Sequence, residues 1–98
     1  MKLDEIKKLI ERSEFEVSSK VDTLIAEGLF TFADLSNTIL TARDIAKREK
    51  EELVEAVDGY KYTIIGWDRS GHRFYTAGKI LADYQGHFYF FITAHKAE

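Results

Sequence analysis

The sequence predicts an α+β domain in which N-terminal helices pack on a three- or four-stranded antiparallel sheet formed by the C-terminal half. Three observations carry that expectation. Apolar residues recur at three- and four-residue spacing through the first forty positions, the period of one helix face. Ten of the thirteen aromatic residues lie between Tyr60 and His95, in the runs YKYTIIGW (60–67), HRFYTAGKILADY (72–84) and HFYFFITAH (87–95). The runs are separated by DRSG (68–71) and QG (85–86), which are turn sequences between strand-forming residues.

The elements follow in order. Leu3, Ile6, Leu9 and Ile10 define an amphipathic helix to about Arg12, with Asp4 and Glu5 placed to complement its N-terminal dipole. Ser18 or Ser19 can cap a second helix carrying Val21, Leu24 and Ile25, and Gly28 is its expected left-handed terminator. Thr31 and Asp34 resemble a capping box with Asp in place of Glu, opening a third helix with Phe32, Leu35, Ile39 and Leu40. The stretch TARDIAKREKEELVEAVD (41–58) is rich in Lys and Glu and predicts a solvated helix from about 42 to 52. Residues 53–57 precede Asp58-Gly59, a hairpin signal, and are either the tail of that helix or a first strand.

Ninety-eight residues make a single domain, 1–98, large enough to bury roughly 60–65% of its unfolded surface in one core. There is no cysteine, which excludes a disulfide framework and a thiolate metal site and fits a reducing compartment. The opening residues, MKLDEIKKLIERSEF, lack the apolar core and cleavage site of a secretory signal, and no apolar run approaches the ~20 residues that span a bilayer. The expected location is cytoplasmic.

The formal charge of −3 conceals an asymmetry. Residues 1–58 carry nine Lys/Arg against fourteen Asp/Glu, whereas residues 59–98 carry five against three, together with all three histidines. A sequence pI near 5.6 argues against tight non-specific nucleic-acid binding, which calls for a domain pI above about 9. The net-basic segment is the aromatic one.

Strict alternation divides the strands by face. In the last run Phe88, Phe90, Ile92 and Ala94 form the expected core face, and His87, Tyr89, Phe91, Thr93 and His95 the opposite one. In the middle run Phe74, Thr76, Gly78 and Ile80 share a face, opposite Arg73, Tyr75, Ala77, Lys79 and Leu81. Gly66 and Gly78, inside strands, mark a bulge or a close backbone approach. Asp68 begins a turn and is expected to bond its own backbone.

The candidate site is therefore the face with Arg73, Tyr75 and Lys79 beside His87, Tyr89 and His95. Metal-free RNA cleavage needs a proton acceptor, a proton donor and a cation for the developing phosphate charge, and these residue types supply all three. In that reading His95 is general acid or base, Arg73 and Lys79 hold phosphate, and Tyr75 or Tyr89 positions or stacks. The alternative is a solvated face on which Arg and Lys lie over aromatics. Tyr89 and Phe91 on a non-core face would make an apolar patch, which marks a partner surface unless the first helix covers it. His87 and Lys96 complete the candidate binding set. No His has a spaced ligand partner, so no metal or cofactor is expected, and no phosphate-binding glycine loop or nucleophilic serine motif occurs.

EGLFTFADL (27–35), YTIIGWDRSGHRFYT (62–76) and FFITAHKAE (90–98) resemble the BrnT/RelE-like toxin superfamily and the uncharacterised domains related to it. Gly66, Asp68, Gly71 and Arg73 approach the Gly-x-Asp-x-x-Gly-Arg strand turn of those proteins, with His72 inserted. ITAHKA (92–97) is similar to their closing strand, with His95 where Arg is usual. The resemblance covers Ser18 to the C-terminus. It implies helices on one face of an antiparallel sheet and, in toxin members, an mRNA ribonuclease neutralised by an antitoxin. Members are usually basic and this chain is acidic; the His and Arg of their first helices are absent from SSKVDTLIAEG. Two functions follow as expectations: a protein-interaction or binding module, forming a homodimer or a complex with a cognate partner, or a toxin-type ribonuclease. An apolar cavity between helices and sheet would favour a small-molecule site instead.

Overall fold

The three N-terminal helices form where the sequence places their caps. In the computed structural model, which describes residues 1–97, they are α1 (Lys2–Glu11), α2 (Ser19–Ala26) and α3 (Phe32–Thr41). Leu3, Ile6, Leu9 and Ile10 give α1 one buried stripe. Ser18 caps α2 by accepting from the Val21 N–H at 3.2 Å, and Gly28 leaves that helix at φ 83°. Thr31 and Asp34 exchange reciprocal bonds of 3.1 and 2.9 Å, so the Asp-containing capping box is real. Asp34 also accepts from the Arg69 N–H at 2.9 Å, which ties the start of α3 to the turn after the next long strand.

The sheet is mixed and five-stranded, a correction to the three- or four-stranded antiparallel expectation. Its strands are β1 (Phe15–Val17), β2 (Lys47–Lys50), β3 (Tyr60–Trp67), β4 (Arg73–Asp83) and β5 (Gly86–Lys96), in the order β1-β5-β4-β3-β2. The three aromatic runs are the central antiparallel strands. Short β1 lies parallel to β5, with Phe15 opposite Tyr89 and Val17 opposite Phe91. The other addition, β2, overturns the helix expected over 42–52. Its residues, KREK, are all exposed and pair antiparallel with Lys61 and its neighbours. Helix propensity loses here because β3 would otherwise present unpaired backbone groups, and an all-charged edge strand satisfies them while discouraging further pairing. Residues 53–57 are neither helix nor strand; they belong to the 51–59 connection of the β2–β3 hairpin, which Gly59 closes at φ 83°.

The second correction concerns β5. Ala77 of β4 faces Thr93, but the next residue, Gly78, faces Phe91, so Ile92 is an extra residue in a β-bulge. The bulge is anchored: Ser18 donates its hydroxyl to the Ile92 carbonyl at 2.9 Å and its N–H to the Phe91 carbonyl at 3.0 Å. Side-chain parity inverts across it. Tyr89 and Phe91, expected on the open face, are completely buried, and Phe88, Phe90 and Ile92, expected in the core, are only half-buried.

All three helices pack on the face formed by Tyr62, Ile64, Phe74, Ile80, Tyr89 and Phe91. Each such side chain contributes about 1.5–3 kcal/mol when fully buried. Both interior glycines mark close approaches. A Cβ on Gly66 would lie 2.0 Å from the Thr38 carbonyl oxygen of α3, and one on Gly78 would lie 2.5 Å from the Tyr89 ring. Glycine thus lets α3 rest on β3 backbone to backbone, and lets Tyr89 lie flat across β4.

Candidate functional site

Lys61, Thr63, Ile65 and Trp67 on β3, Arg73, Tyr75, Ala77 and Lys79 on β4, and Phe90, Thr93 and His95 on β5 make up the other face. Among the described residues no helix covers it. Its two ends differ in chemistry.

One end carries three rings and Arg73 on the strands, with Arg43 reaching in from the connection between α3 and β2. Tyr75 and His95 are direct cross-strand neighbours and stack with centroids 4.5 Å apart and planes 16° apart. His95 Nδ1 lies 2.9 Å from the Lys96 carbonyl oxygen. Because a carbonyl only accepts, Nδ1 donates in this contact, which leaves Nε2 as the acceptor nitrogen of the neutral ring. Ile65 faces Tyr75 and Trp67 faces Arg73 in the β3–β4 register, and the exposed Arg43 guanidinium stands 5.8 Å over the Trp67 ring. The Trp67 N–H bonds Thr41 Oγ1 at 3.0 Å and its carbonyl accepts from Asn37 at 2.9 Å, which fix its backbone against the end of α3.

At the other end the 51–58 connection folds onto the sheet over Lys79. The Lys79 ammonium, 4% exposed, sits 2.9 Å from Glu55 Oε1 and 3.3 Å from Glu51 Oε1. Burial works against that charge, and the bonds to Glu55 and Glu51 outweigh it and hold the ammonium above its ordinary pKa. Glu51 in turn is caged. Burial on its own would raise its carboxyl, but the Ala56 and Glu55 N–H groups at 3.0 and 2.8 Å, the Lys79 ammonium and the Leu53 N–H at 3.2 Å pull it down to about 2. The same cage sets Leu53 and Val54 at the loop tip, 72% and 88% exposed, with Val54 at φ 56°, a conformation β-branched residues rarely adopt. Between this loop and the sheet lies an open groove of about 540 Å³, lined by Glu49, Glu52, Glu55, Lys61, Phe90 and Ile92 among others.

The structure thus brings together Arg73, Tyr75 and His95 and separates them from Lys79. Lys79 is four residue steps along the strand from Tyr75, about 13 Å, and is committed to two carboxylates. His87 sits at the far end of β5, opposite Ala82, beside the β4–β5 turn. Lys96 is opposite Phe74, on the helix side, at the rim of an apolar depression with Leu24, Leu29 and Phe30. Tyr89 and Phe91 are core residues and form no open patch. Asp68 does bond its own turn, accepting from the Ser70 and His72 N–H groups at 2.9 Å each. Sequence reasoning missed Ile65 and Trp67, although the alternation applied to β4 would have found them in β3. It also missed Arg43 and the Glu51 cage, for which sequence gives no local signal.

Among the described residues no three His, Cys, Asp or Glu side chains converge as metal ligands, and no helix is long and apolar enough to cross a membrane. Compared with family models, curated proteins and solved structures, the chain matches none.

Proposed function

We propose that this protein is a protein-interaction module that works through the uncovered face of its sheet. One observation carries the reading: Ile65, Trp67, Tyr75, Phe90 and Ile92 lie half-buried on that face while every helix packs on the opposite side. Apolar side chains that no helix covers on a small domain mark a partner surface. Edge pairing is the poorer route to a complex, since β1 has three residues and β2 is entirely charged. The test is to purify the protein with whatever it binds stoichiometrically and repeat with Tyr75→Glu. We expect the complex to be lost and the thermal midpoint to move by no more than a few degrees; a complex that survives Tyr75→Glu places the binding surface elsewhere.

The stacked Tyr75–His95 pair with Arg73 beside it supports a second reading, the metal-independent mRNA ribonuclease of a toxin–antitoxin pair suggested by the BrnT/RelE resemblance. With Nδ1 bonded to the Lys96 carbonyl, His95 Nε2 is the nitrogen that would accept a proton, and Arg73 supplies the cation; Lys79, held by Glu51 and Glu55, supplies none. Under this reading expression arrests growth and His95→Ala relieves the arrest. Normal growth on expression of the wild type removes it.

A further inference from the structure

We infer that the apolar depression between the α2–α3 corner and the ends of β4 and β5 binds a small amphiphilic anion, a compact acyl or aryl body carrying one carboxylate. The site lies on the helix side of the sheet, so the inference goes beyond the interaction-module reading and stands independently of it.

The hollow follows from the order of large and small residues on the strands. Phe74 on β4 and Ala94 on β5 both face the helices and are buried. A methyl group at 94 leaves space above the sheet that Leu24, Leu29 and Phe30 wall but do not fill, a volume of about 330 Å³. Phe30 stands edge-on to the Phe74 ring with centroids 5.2 Å apart. Ligand clefts run from about 300 to 1000 Å³ and pair a mostly apolar lining with a few placed polar groups. This one is at the small end, so it takes a single ring or a short acyl chain.

The walls are set before anything binds. Gly28 leaves α2 at φ 83°, with its N–H on the Ile25 carbonyl at 2.9 Å and the Leu29 N–H on the Leu24 carbonyl at 3.1 Å. Two residues later the Thr31–Asp34 capping box opens α3, and Asp34 is tied to the Arg69 N–H. The 28–31 corner is thus fixed at both ends, and Leu29 is held 59% exposed beside the hollow. An apolar wall already in place gains from burying a ligand without the cost of first being ordered.

Charge sets the head group. Lys96 is the only Lys, Arg, Asp or Glu that lines the depression among the described residues. The groove over Lys79 differs, since Glu49 and Glu52 there alternate with Lys50 and Lys61. The β5 bulge accounts for the placement: beyond it Ala94 and Lys96 turn to the helix side, while His95 keeps its ring stacked on Tyr75. Lys96 is exposed, which puts its ammonium at the mouth rather than the floor, and the Ala97 N–H on the Arg73 carbonyl at 3.0 Å keeps its backbone in the ladder. A carboxylate at the mouth gains a charge-assisted hydrogen bond while its apolar body leaves water. A neutral or cationic head gains only the burial.

The test is titration of octanoate into the isotope-labelled full chain, read by amide chemical shifts, beside octanol, octylamine and acetate. Octanoate is expected to shift the amides of Leu24, Leu29, Phe30, Ala94 and Lys96 saturably, with octylamine and acetate weaker by roughly tenfold or more. Lys96→Gln should weaken octanoate about fivefold and leave octanol unchanged, and Leu29→Glu should weaken octanoate by about tenfold or more. Both positions are exposed, and unchanged far-ultraviolet circular dichroism confirms the fold. Absence of saturable shifts at those amides overturns the site. Equal affinity for octanoate, octanol and octylamine, or a Lys96→Gln variant that binds octanoate as wild type does, overturns the anionic ligand. Shifts of the same amides on concentrating the protein without octanoate would give the depression to a second copy and overturn the inference as well. None of these outcomes bears on the Tyr75→Glu experiment, which reads the opposite face.

Discussion

On the helix side of the sheet, β3 and β4 use glycine at positions 66 and 78 because the Thr38 carbonyl and the Tyr89 ring already occupy the space where a Cβ would go. On the other side the same two strands present Ile65, Trp67, Tyr75 and Ala77, with no helix packed on them among the described residues. The difference separates two kinds of constraint carried by alternate residues of one strand. Helix-side positions are set by interior packing, where an added methyl has nowhere to go. Open-side positions are left for whatever the face meets.

Substitutions can break that contrast at several strengths. The largest effect is expected at Gly66→Ala, whose new Cβ would collide with backbone rather than with a movable side chain; a loss of about 3 kcal/mol or more in urea denaturation is expected. An unchanged midpoint would mean that α3 lifts freely from β3. Gly78→Ala should cost less, about 2 kcal/mol, because its obstacle is a ring. Combining it with Tyr89→Leu should be markedly less destabilising than the sum of the two singles, and strict additivity would show that the ring is not the obstacle. Tyr89→Phe runs the other way. The Tyr89 hydroxyl is buried with no hydrogen-bond partner in the described structure, so its removal should stabilise the fold by about 1 kcal/mol. A loss of similar size would reveal a partner for that hydroxyl.

The remaining prediction is confined to the open face and to acid. The Glu51 carboxyl titrates near 2 in the fold against 4.5 as its ordinary value, so its folded pKa is depressed. The stability it confers is fully present above about pH 4.5 and is lost as pH falls toward about 2. Asp34 and Asp58 are also lowered, through the Arg69 and Thr31 bonds and the Tyr62, Tyr60 and Lys2 bonds respectively, each prevailing over burial. Denaturation at pH 5, 3.5 and 2.5 should therefore show a slope that Glu51→Gln reduces without abolishing. An identical slope in the variant would mean that the cage around Glu51 does not hold in solution.

Much of the fold was legible in the sequence because it is encoded locally. Ser18, Thr31 with Asp34, Gly28 and the two turns act within a few residues of themselves, and each sits where its chemistry predicts. What escaped depends on distant partners. KREK reads as helix until β3 is present to pair with it. The Glu51 cage joins a loop to a lysine 28 positions away, and no pattern within the loop announces it. The site was half legible for the same reason. Arg73, Tyr75 and His95 share a face as alternation requires, on one side of the bulge, while Tyr89 and Phe91 lie on the other side of it, where the same rule gives the wrong answer.

That bulge makes β5 a wave with a phase slip. Before Ile92 the odd-numbered residues point to the helices; after Thr93 the even-numbered ones do. The strand thereby buries Tyr89, Phe91 and Ala94 while still turning His95 toward Tyr75, a combination that no unbroken alternation permits. Deleting Ile92 would cancel the slip, and one half of the strand would have to surrender its face: either Tyr89 and Phe91 would turn outward, or His95 would swing beneath the sheet. In this strand the number of residues is itself part of the code, and a one-residue deletion that a surface loop would absorb would here exchange inside for outside.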